Sequence, residues 1–574
     1  MVIRAYRGVL LAASLVLMAM VSFAQEADSV QQPEAGGNAQ TKTVEVSRAF
    51  APSIGDADRI HYLPSIDDTL RAPMAFEYTL SPRPMLQGYA MRELPPARMS
   101  KEPLRPIYPF FIKLGYGNYT SPLAQVYISG GRRERLGYAI SLDHNSSFGE
   151  VTLASGESVK APESLTGVGV HATGVFKTFA VRGQATYAHD YSAFYGRKDT
   201  LHQAYNTLWG STTSAHRYGI ALDAYSTYLD SSHFNYAGRF AIDRYSDDRQ
   251  MSQTHVHASV KGHVYMHSEC FGGEIRLNHY GKDMNSQEAP NTQFSLAPWA
   301  KLFGDRWRVI VGCEALLDAN RGTTGIFLYP RAHFSYDIVR HYLIPYVEAD
   351  GGVETADYST LRRENPWAAP GQLAWNASRK MQVRGGVKGN FTPRATFDFF
   401  VAYALVDSMH FWVNNRLTVP VTLLTRDTIY GSGFGLVYDN VERVHARGEI
   451  AYGVSERFDC GVEVDYWHYK LRKVSHAWHR PSYRAVMRID YNLRRKVFAG
   501  LYLYLEGGQV ARGLNGDPID LGVNYDLNLN VRYRFTKSFS AFAEVRNLLA
   551  ARHDTYYLYP QRRFQGYLGI VMHF

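Results

Sequence analysis

The stretch VNYDLNLNVRYRF, from Val523 to Phe535, alternates polar and apolar side chains along its length. From Asn524 onward the even positions hold Asn, Asp or Arg, and the odd positions hold Tyr, Leu, Val or Phe. Successive side chains of a β-strand point to opposite faces, so this segment has one apolar face and one hydrophilic face. Strands of soluble sandwiches are usually about 5–6 residues long, whereas a membrane-spanning strand needs about 9–11. The stretch therefore predicts a transmembrane β-strand.

Three further segments repeat this alternation, with Val486 and Phe542 out of pattern. They are Arg457–Tyr466, Tyr483–Tyr491 and Phe539–Arg546. Charged side chains at every second position are costly in a water-free core, so they favour a lumen filled with water or protein. We therefore predict an all-β protein, a transmembrane antiparallel outer-membrane β-barrel, rather than a soluble β-sandwich.

The start of the chain predicts export. Arg4 and Arg7 precede the apolar run Val9–Val21, and a Ser-Phe-Ala triplet precedes Gln25. This is the pattern of a secretory signal peptide over residues 1–24. The apolar run is too short for a confident spanning helix, and the cleavage point lacks the cysteine of a lipid-anchored protein. An exported chain of long amphipathic strands indicates the cell outer membrane of a Gram-negative bacterium.

Composition agrees with a barrel. The 41 tyrosines and 29 phenylalanines suit the aromatic girdles that barrels place at the two membrane interfaces. The 62 basic and 53 acidic residues give a mildly basic chain, which is compatible with outer-membrane lipid and lipopolysaccharide phosphates. No clustered nucleic-acid footprint is present, so no nucleic-acid partner is expected. Cys270, Cys313 and Cys460 are odd in number and widely spaced, and predict neither a disulfide framework nor a cysteine metal site.

The chain divides near Pro109. Residues 25–108 form a polar segment whose second part, Pro82–Pro109, is studded with proline. This composition favours a linker or an extended chain in the periplasm or the lumen over an independent core. Residues 109–574 alternate strand and turn throughout, and form the predicted barrel.

Turn signals set the number of strands. Ten short candidate turns imply about 22 strands, or about 18–20 if one or two are misread. Outer-membrane barrels place short turns and both chain ends on the periplasmic side, and long loops outside. The short candidates are Arg132–Arg135, Lys177–Thr178, Ala215–Arg217, His267–Ser268, Gly304–Arg306, Asp337–His341, Thr392–Arg394, Ser455–Arg457, Asn492–Lys496 and Thr536–Ser538. The longer polar stretches are Tyr191–His202, Asp230–Gln253, Glu354–Lys380, Asp407–Gly433 and Gly508–Pro518.

The C-terminus carries a family resemblance. Ala543–Leu549 (AEVRNLL), Tyr559–Phe564 (YPQRRF), Gly569 and the terminal Phe574 resemble the closing strands of TonB-dependent receptors, with a V-x-N-L strand and a P-x-x-R loop. The resemblance implies a 22-stranded barrel that acts in uptake across the outer membrane. A terminal aromatic residue on an alternating strand is also the signal that the outer-membrane insertion machinery reads, so Phe574 is the predicted membrane-insertion signal.

The chain departs from that family at its N-terminus. Such receptors carry a large folded plug with an L-I-R-G-type stretch before the barrel, and residues 25–108 contain no such stretch. We therefore predict a barrel that lacks a recognisable plug. Thr43–Ile60 resembles the segment that precedes plugless receptor-like barrels. A wide barrel with an empty lumen would leak, so the N-terminal segment, inward loops or a partner protein should fill it.

One predicted strand concentrates histidine. In Thr254–His267, the side chains of His255, His257, His263 and His267 share one face. Side chains two apart on a strand lie roughly 7 Å from each other, close enough for His255 and His257 to share a metal or flank a haem. A firm metal site needs three or four convergent ligands, which the sequence does not show, so ordinary polar lumen residues are expected, with no metal and no cofactor.

Two classes of function stay open. No Ser-His or Asp-His motif stands out near a predicted rim, so the protein is not expected to be an enzyme. The family resemblance favours transport through the lumen. The missing plug favours a scaffold or assembly subunit of a larger outer-membrane complex, with outer-membrane or periplasmic protein partners.

Overall fold

The computed structural model describes most of the chain after residue 107. The described residues are 108–130, 135–196, 210–228, 232–249, 251–267, 269–282, 290–320, 323–369, 374–420, 426–455, 457–513 and 515–574. The predicted signal peptide, the proline-rich segment over residues 25–107 and the Thr43–Ile60 stretch lie outside these residues, and stay predictions.

Twenty-two strands form one antiparallel sheet. They are β1 (Phe110–Gly117), β2 (Ser121–Ser129), β3 (Leu136–Ser147), β6 (Glu163–Val175), β7 (Phe179–Ala193), β8 (Thr212–Ser226), β9 (Asn235–Asp247), β10 (Ser252–Met266), β11 (Glu269–Lys282), β12 (Asn291–Phe303), β13 (Trp307–Asn320), β14 (Thr323–Tyr336), β15 (Ile344–Glu354), β16 (Ala377–Thr392), β17 (Ala395–Pro420), β18 (Arg426–Ser455), β19 (Phe458–Leu471), β20 (Tyr483–Leu493), β21 (Val497–Gly507), β24 (Asn524–Arg534), β25 (Phe539–Arg546) and β28 (Gln565–His573).

Within the described residues, the connections outside this sheet contain six short strands and one helix. The strands form three hairpins, which are β4 (Glu150–Thr152) with β5 (Ser158–Lys160), β22 (Val510–Arg512) with β23 (Pro518–Asp520), and β26 (Asp554–Tyr556) with β27 (Tyr559–Pro560). The helix, α1 (Tyr358–Glu364), begins after the N-cap Asp357, whose carboxylate accepts a hydrogen bond from the Thr360 amide at 2.9 Å. None of the helices in the described ranges is long and apolar enough to cross a membrane.

The sheet closes on itself. Each barrel strand pairs with the next barrel strand along the chain, and β1 pairs with β28 from Phe111↔His573 to Gly117↔Tyr567. Closure removes both sheet edges, which is what allows a β-sheet to span a bilayer with every backbone group satisfied. The predictions of an all-β fold and of about 22 strands are confirmed, and the first strand begins directly after Pro109.

The alternation in β24 has the predicted consequence. Leu529 pairs with Leu501 on one side and Val545 on the other, so apolar side chains share one face of three neighbouring strands. Asn530, on the opposite face, pairs with Gly500 and Glu544. Large apolar side chains are widely exposed on the outward face elsewhere, with Ile326 at 81% and Leu328 at 71%. This apolar outer wall fits the hydrocarbon core of a membrane, and it supports the outer-membrane localisation.

Nine of the ten predicted turns fall between consecutive barrel strands at the end of the barrel where β1 begins and β28 ends. The prediction for Ala215–Arg217 is wrong, because these residues lie inside β8, and the connection at that end is residues 227–234. His216 and Arg217 look turn-like in the sequence, yet one faces outward and the other into the lumen. One false turn and one missed turn cancel, which is why the strand count holds.

Two predicted long loops are also wrong. Asp230–Gln253 contains β9, and Asp407–Gly433 contains the outer parts of β17 and β18. The extensions of β17 and β18 past the bilayer have no need of an apolar outer face, so their alternation weakens and the sequence predicts loop there. By contrast, β9 pairs along its length with β8 and β10 inside the barrel wall. Glu354–Lys380 and Gly508–Pro518 do lie mainly in long connections, at the end opposite the nine confirmed turns.

Candidate functional site

The inner wall of the barrel is charged. Asp465, 1% exposed, lies 2.7 Å from Arg484 and 2.7 Å from His445. Glu463, two residues earlier on the same face, lies 2.7 Å from Arg447 and 3.2 Å from Arg484. Pairing of this kind is what buried charges require, because an unpaired charge in such a position is costly. The prediction that the polar face of the strands lines the lumen therefore holds on β18, β19 and β20.

The four predicted lumen histidines do not converge. His255 and His257 are neighbours, with ring centroids 6.2 Å apart, and both contact the Asn278 side chain, at 3.2 and 2.8 Å. His263 lies further along β10, where its ring centroid is 6.1 Å from that of Trp299, and His267 occupies the following turn with a φ of 58°.

The polar partners of the first two histidines are mainly neutral. His255 stacks on Tyr280 at 4.2 Å and has Asp243 at 3.6 Å, and His257 has Ser259 at 3.2 Å. Among the described residues, no three His, Cys, Asp or Glu side chains form a group that could hold a metal ion. His255 and His257 share the Asn278 side chain, whereas His263 and His267 lie in separate surroundings.

The C-terminal residue lies at the seam of the barrel. Phe574 exchanges two backbone hydrogen bonds with Phe110, at 2.9 and 3.1 Å, and the two rings stack with centroids 5.5 Å apart. The Phe574 side chain is 54% exposed on the outer wall. Its role as an insertion signal stays a prediction, while its place at the last step of closure is a structural fact.

The opposite end of the barrel is covered by its own connections, which we call the cap. The cap comprises Tyr195 after β7, residues 356–369 between β15 and β16, the outer ends of β17 and β18 at residues 409–414 and 433–438, residues 476–480 between β19 and β20, and residues 554–560 between β25 and β28. In the order of the closed sheet, β7 is the fifth strand, β15 the thirteenth and β28 the last. Connections rooted at well-separated points of a barrel roughly 40 Å across therefore meet over its mouth.

An aromatic cluster joins the three most distant connections. Trp367 stacks on Tyr559 with centroids 4.0 Å apart, and Tyr195 packs edge-on against both, at 5.8 and 5.0 Å. Two hydrogen bonds accompany these contacts. The Trp367 indole donates to the Ala193 carbonyl at 3.0 Å, and the Tyr195 hydroxyl donates to the Pro560 carbonyl at 3.1 Å.

Beneath this cluster the cap has a core of its own. Trp412 is 1% exposed and Phe434 is fully buried, and they pack with Leu361, Ala368 and Tyr559. Fully burying a large apolar side chain contributes about 1.5–3 kcal/mol, so these residues give the cap several kcal/mol of independent stability. The cap is therefore a folded layer, and not a set of separate loops.

A charged group organises the centre of the cap. The Glu364 carboxylate, at the end of α1, accepts a hydrogen bond from the Trp412 indole at 3.1 Å, and Arg480 lies 3.0 Å away. Nε2 of His410 lies 2.9 Å from both Glu364 and Arg480. Burial alone would raise the pKa of Glu364, but His410, Arg480 and Trp412 outweigh it and lower the pKa to about 2.

His479, next to this group, is held in its neutral form. Its Nδ1 contacts the Trp412 carbonyl at 2.8 Å, and its Nε2 accepts a hydrogen bond from the Tyr557 amide at 3.2 Å. Burial lowers the pKa of His479 to about 4, although the bond to the Trp412 carbonyl acts in the opposite direction. An imidazole that accepts from a backbone amide must lose that bond when it is protonated, so acid should loosen the cap here.

The two motifs that carry the family resemblance shape the connection that enters the cap. Asn547, in the V-x-N-L stretch, adopts a φ of 48° and exchanges hydrogen bonds with Ala551, at 2.8 and 2.9 Å. Asparagine tolerates this left-handed conformation better than most residues. Arg562, which directly precedes the arginine of the P-x-x-R stretch, is 9% exposed and binds Glu163 and the Ala161 carbonyl across the seam. Both residues fix the path of the last long connection.

The cap residues are not predicted by local sequence patterns. Glu364, His410 and Arg480 lie far apart in the chain, and their meeting depends on which connections fold inward. A signal was present, since Trp367, Tyr556, Tyr557 and Tyr559 place large aromatic side chains in connections that would otherwise face water. Such residues indicate that these connections have a core of their own.

Comparison with known proteins gives the fold. No protein-family model matches the chain, and no curated protein matches it by sequence. Among solved structures, the FrpB iron transporter from Neisseria meningitidis (F3-3 variant) is similar over 81% of this chain and 81% of its own, with 8% identity and a TM-score of 0.63. The ferric-catecholate import receptor Fiu from K12 E. coli is similar over 82% of each chain, with 9% identity and a TM-score of 0.60. The copper transporter OprC is similar over 81% of this chain and 80% of the OprC chain, with 12% identity and a TM-score of 0.57.

These likenesses confirm the predicted resemblance to TonB-dependent receptors at the level of the barrel fold. They leave the predicted lack of a plug uncontradicted. The three proteins are described as transporters or import receptors and none as an enzyme.

Proposed function

We propose that this chain, which has the 22-stranded barrel fold of TonB-dependent receptors, takes up a solute across the outer membrane through its lumen. The observation that supports this most directly is the charged inner wall, in which Arg447, Glu463, Asp465 and Arg484 line the lumen and pair with one another. A wall of this kind is compatible with a hydrated path.

The cap decides what such a path admits. Because it covers the extracellular mouth, a solute enters only when the cap rearranges, as expected of a selective receptor and not of a general pore. The similar structures include transporters of iron and copper, so complexed metal ions are the first substrate class to test. Chemistry on the solute is not part of this proposal, and we infer that the chain is not an enzyme.

Contacts with the envelope follow from the same placement. The exposed apolar wall would contact outer-membrane lipid and lipopolysaccharide, and the insertion machinery would read Phe574 during assembly. Outer-membrane or periplasmic proteins are further expected partners, because energised uptake and assembly both require them.

A second function, a scaffold in a larger outer-membrane complex, is favoured by the packing of the cap. Trp412 and Phe434 are almost fully buried, and Glu364 has three partners, so the cap resembles a permanent core more than a mobile gate. A barrel sealed in this way would serve to hold neighbouring proteins and would not pass solutes.

One experiment separates the two functions. The metal content of cells that lack the chain is compared with that of complemented cells under iron or copper limitation, by mass spectrometry. Uptake predicts a lower content of one metal without the chain and recovery on complementation. Unchanged content of every metal, together with a stoichiometric partner that co-purifies from gently solubilised membranes, would overturn uptake in favour of the scaffold.

A further inference from the structure

The periplasmic end of the barrel concentrates positive charge on one arc. Three consecutive turns on this end, between β18 and β19, β20 and β21, and β24 and β25, expose basic side chains. These are Arg457, Arg494, Arg495, Lys496 and Lys537. By contrast, the turn between β12 and β13 balances Arg306 with Asp305, and the turn between β6 and β7 has Lys177 alone. The exposed Arg394, between β16 and β17, and Arg135, directly before β3, extend this basic arc to the neighbouring turns of the same rim.

Two arginines extend this arc into the lumen. Arg532 and Arg534 occupy the lumen-facing positions at the end of β24, and their guanidinium groups lie 4.6 and 4.8 Å from the centre of the Phe498 ring. Within the described residues neither guanidinium has a carboxylate within 4.0 Å, unlike Arg447 and Arg484 higher on the same wall. Two stacked cations without a counter-charge are a site that an anion would stabilise.

Most of the acidic residues near this site already pair with other side chains. Asp490 is 3.3 Å from Arg488 and accepts from the Tyr502 hydroxyl at 2.8 Å. Glu544 is 2.8 Å from Arg546 and 3.5 Å from Lys113. Asp459 lines the same cavity and pairs in register with Asp490. The basic residues of the arc outnumber these carboxylates, so the site keeps a net positive charge.

The shape of the site favours an extended ligand. A cavity of about 610 Å³ lies against the lumen wall and is lined by Arg457, Phe498 and Arg532. The three basic turns are spaced two strands apart, so the arc spans roughly 20 Å, the length of about six extended residues. A single small anion would contact one or two of these groups, whereas an acidic peptide segment would contact the arc and reach Arg532 and Arg534.

We propose that this arc and the Arg532–Phe498–Arg534 stack form a docking site for an acidic, extended segment of a periplasmic partner protein. The turns would attract the segment over a distance, and the stacked arginines would hold one of its carboxylates at the mouth of the lumen. The site is independent of whether the barrel transports solutes, since it concerns the periplasmic rim and not the path through the cap.

The test measures binding of a fluorescent hexaglutamate peptide to the full-length barrel in detergent, by anisotropy at low salt. Binding is expected to weaken steeply with added salt. Arg532→Gln with Arg534→Gln, and separately Arg494→Gln with Arg495→Gln, should each weaken binding by roughly tenfold. The matched control Arg306→Gln, on a balanced turn of the same rim, should change it by less than about twofold.

Two further arms keep the proposal falsifiable. Arg532→Lys with Arg534→Lys retains both charges and should recover most of the binding if charge carries it, and heat-modifiability on gels confirms that each variant is folded. Absence of peptide binding to the unmodified barrel, or equal losses in Arg306→Gln and the Arg532/Arg534 variant, would overturn the proposal. Full displacement of the peptide by low millimolar inorganic phosphate would also overturn it, in favour of a small-anion site.

Discussion

The connections between strands differ between the two ends of the barrel, both in length and in how far their side chains are buried. At the end predicted to be extracellular, long connections fold together over a core that includes Trp412 and Phe434, and pair the Glu364 carboxylate with Arg480. At the end predicted to be periplasmic, turns of a few residues connect strands directly, and the Phe535 and Lys537 side chains are exposed. The first end is a folded layer with buried charge, and the second is a rim with free charge.

The difference shows where a barrel of this kind can acquire function. Short turns cannot bury side chains, so their only chemistry is that of exposed charge, which suits attraction of a partner. Long connections can build a core, so they can close the mouth and respond to ligand or pH. Under the proposals above, selection at the cap and docking at the rim would be separate properties, which mutations at the two ends would change separately.

The largest expected contrast comes from matched aromatic truncations at the two ends. Phe434→Ala removes a fully buried ring, and should cost about 3–5 kcal/mol of cap stability. Phe535→Ala removes a ring that is 57% exposed in a periplasmic turn, and should change stability by less than about 0.5 kcal/mol. Hydrogen exchange of residues 358–364 measures the first effect. Equal protection of these amides in both variants would mean that the cap has no cooperative core.

Acid should loosen the cap and leave the periplasmic turns unchanged. The folded pKa of His479 is about 4, below its ordinary value of 6.5, so the stability it contributes is lost as pH falls from about 6.5 to about 4. The folded pKa of Glu364 is about 2, below its ordinary value of 4.5, so its contribution is lost between about pH 4.5 and 2. The difference between the ordinary and the folded pKa of Glu364 corresponds to a loss of about 3 kcal/mol in the free energy of unfolding.

The measurement is hydrogen exchange of cap amides across this pH range, corrected for intrinsic exchange, with residues 492–496 as the internal control. Glu364→Gln should remove the step below pH 4.5 and keep the step above it. A cap whose protection is independent of pH between 7 and 3 would contradict the assigned roles of both residues.

Cysteine labelling, which requires no change in stability, determines which end of the barrel faces outward. A cysteine introduced at Asp517, in the connection between β21 and β24, should react with a membrane-impermeant maleimide on intact cells. A cysteine at Arg495, in the turn between β20 and β21, should react only after permeabilisation. The reverse pattern would exchange the two ends, and with them the assigned roles of cap and rim.

The sequence predicts the structure of the barrel wall well and the structure of the cap poorly. The alternation in Val523–Phe535 and its three counterparts predicts the barrel, because the side-chain period of a strand is fixed at two and lipid accepts only one of its faces. Short turns predict the strand number, with one misplaced at Ala215–Arg217. Both signals are local, and local signals survive in a single sequence.

The cap needs information that is not local. Glu364, His410 and Arg480 become neighbours only because connections rooted far apart in the sheet fold inward together. The sequence predicts loop for parts of β17 and β18 for a related reason, since beyond the bilayer nothing requires their outer faces to be apolar. The histidines of β10 show that the sequence can also suggest a site that does not form, because side chains on the same face of a strand need not converge on one ligand.

Labelling of one lumen position tests directly whether the cap closes the extracellular mouth. Gln184, on the lumen-facing side of β7, becomes cysteine in a chain whose Cys270, Cys313 and Cys460 are alanine, and a membrane-impermeant maleimide is added to intact cells. We expect slow labelling of this cysteine with the cap intact. We expect fast labelling when Trp367→Ala and Tyr559→Ala open the cap, at equal amounts of heat-modifiable barrel. Fast labelling with the cap intact would contradict closure, and slow labelling in both chains would show that the cap is not the barrier.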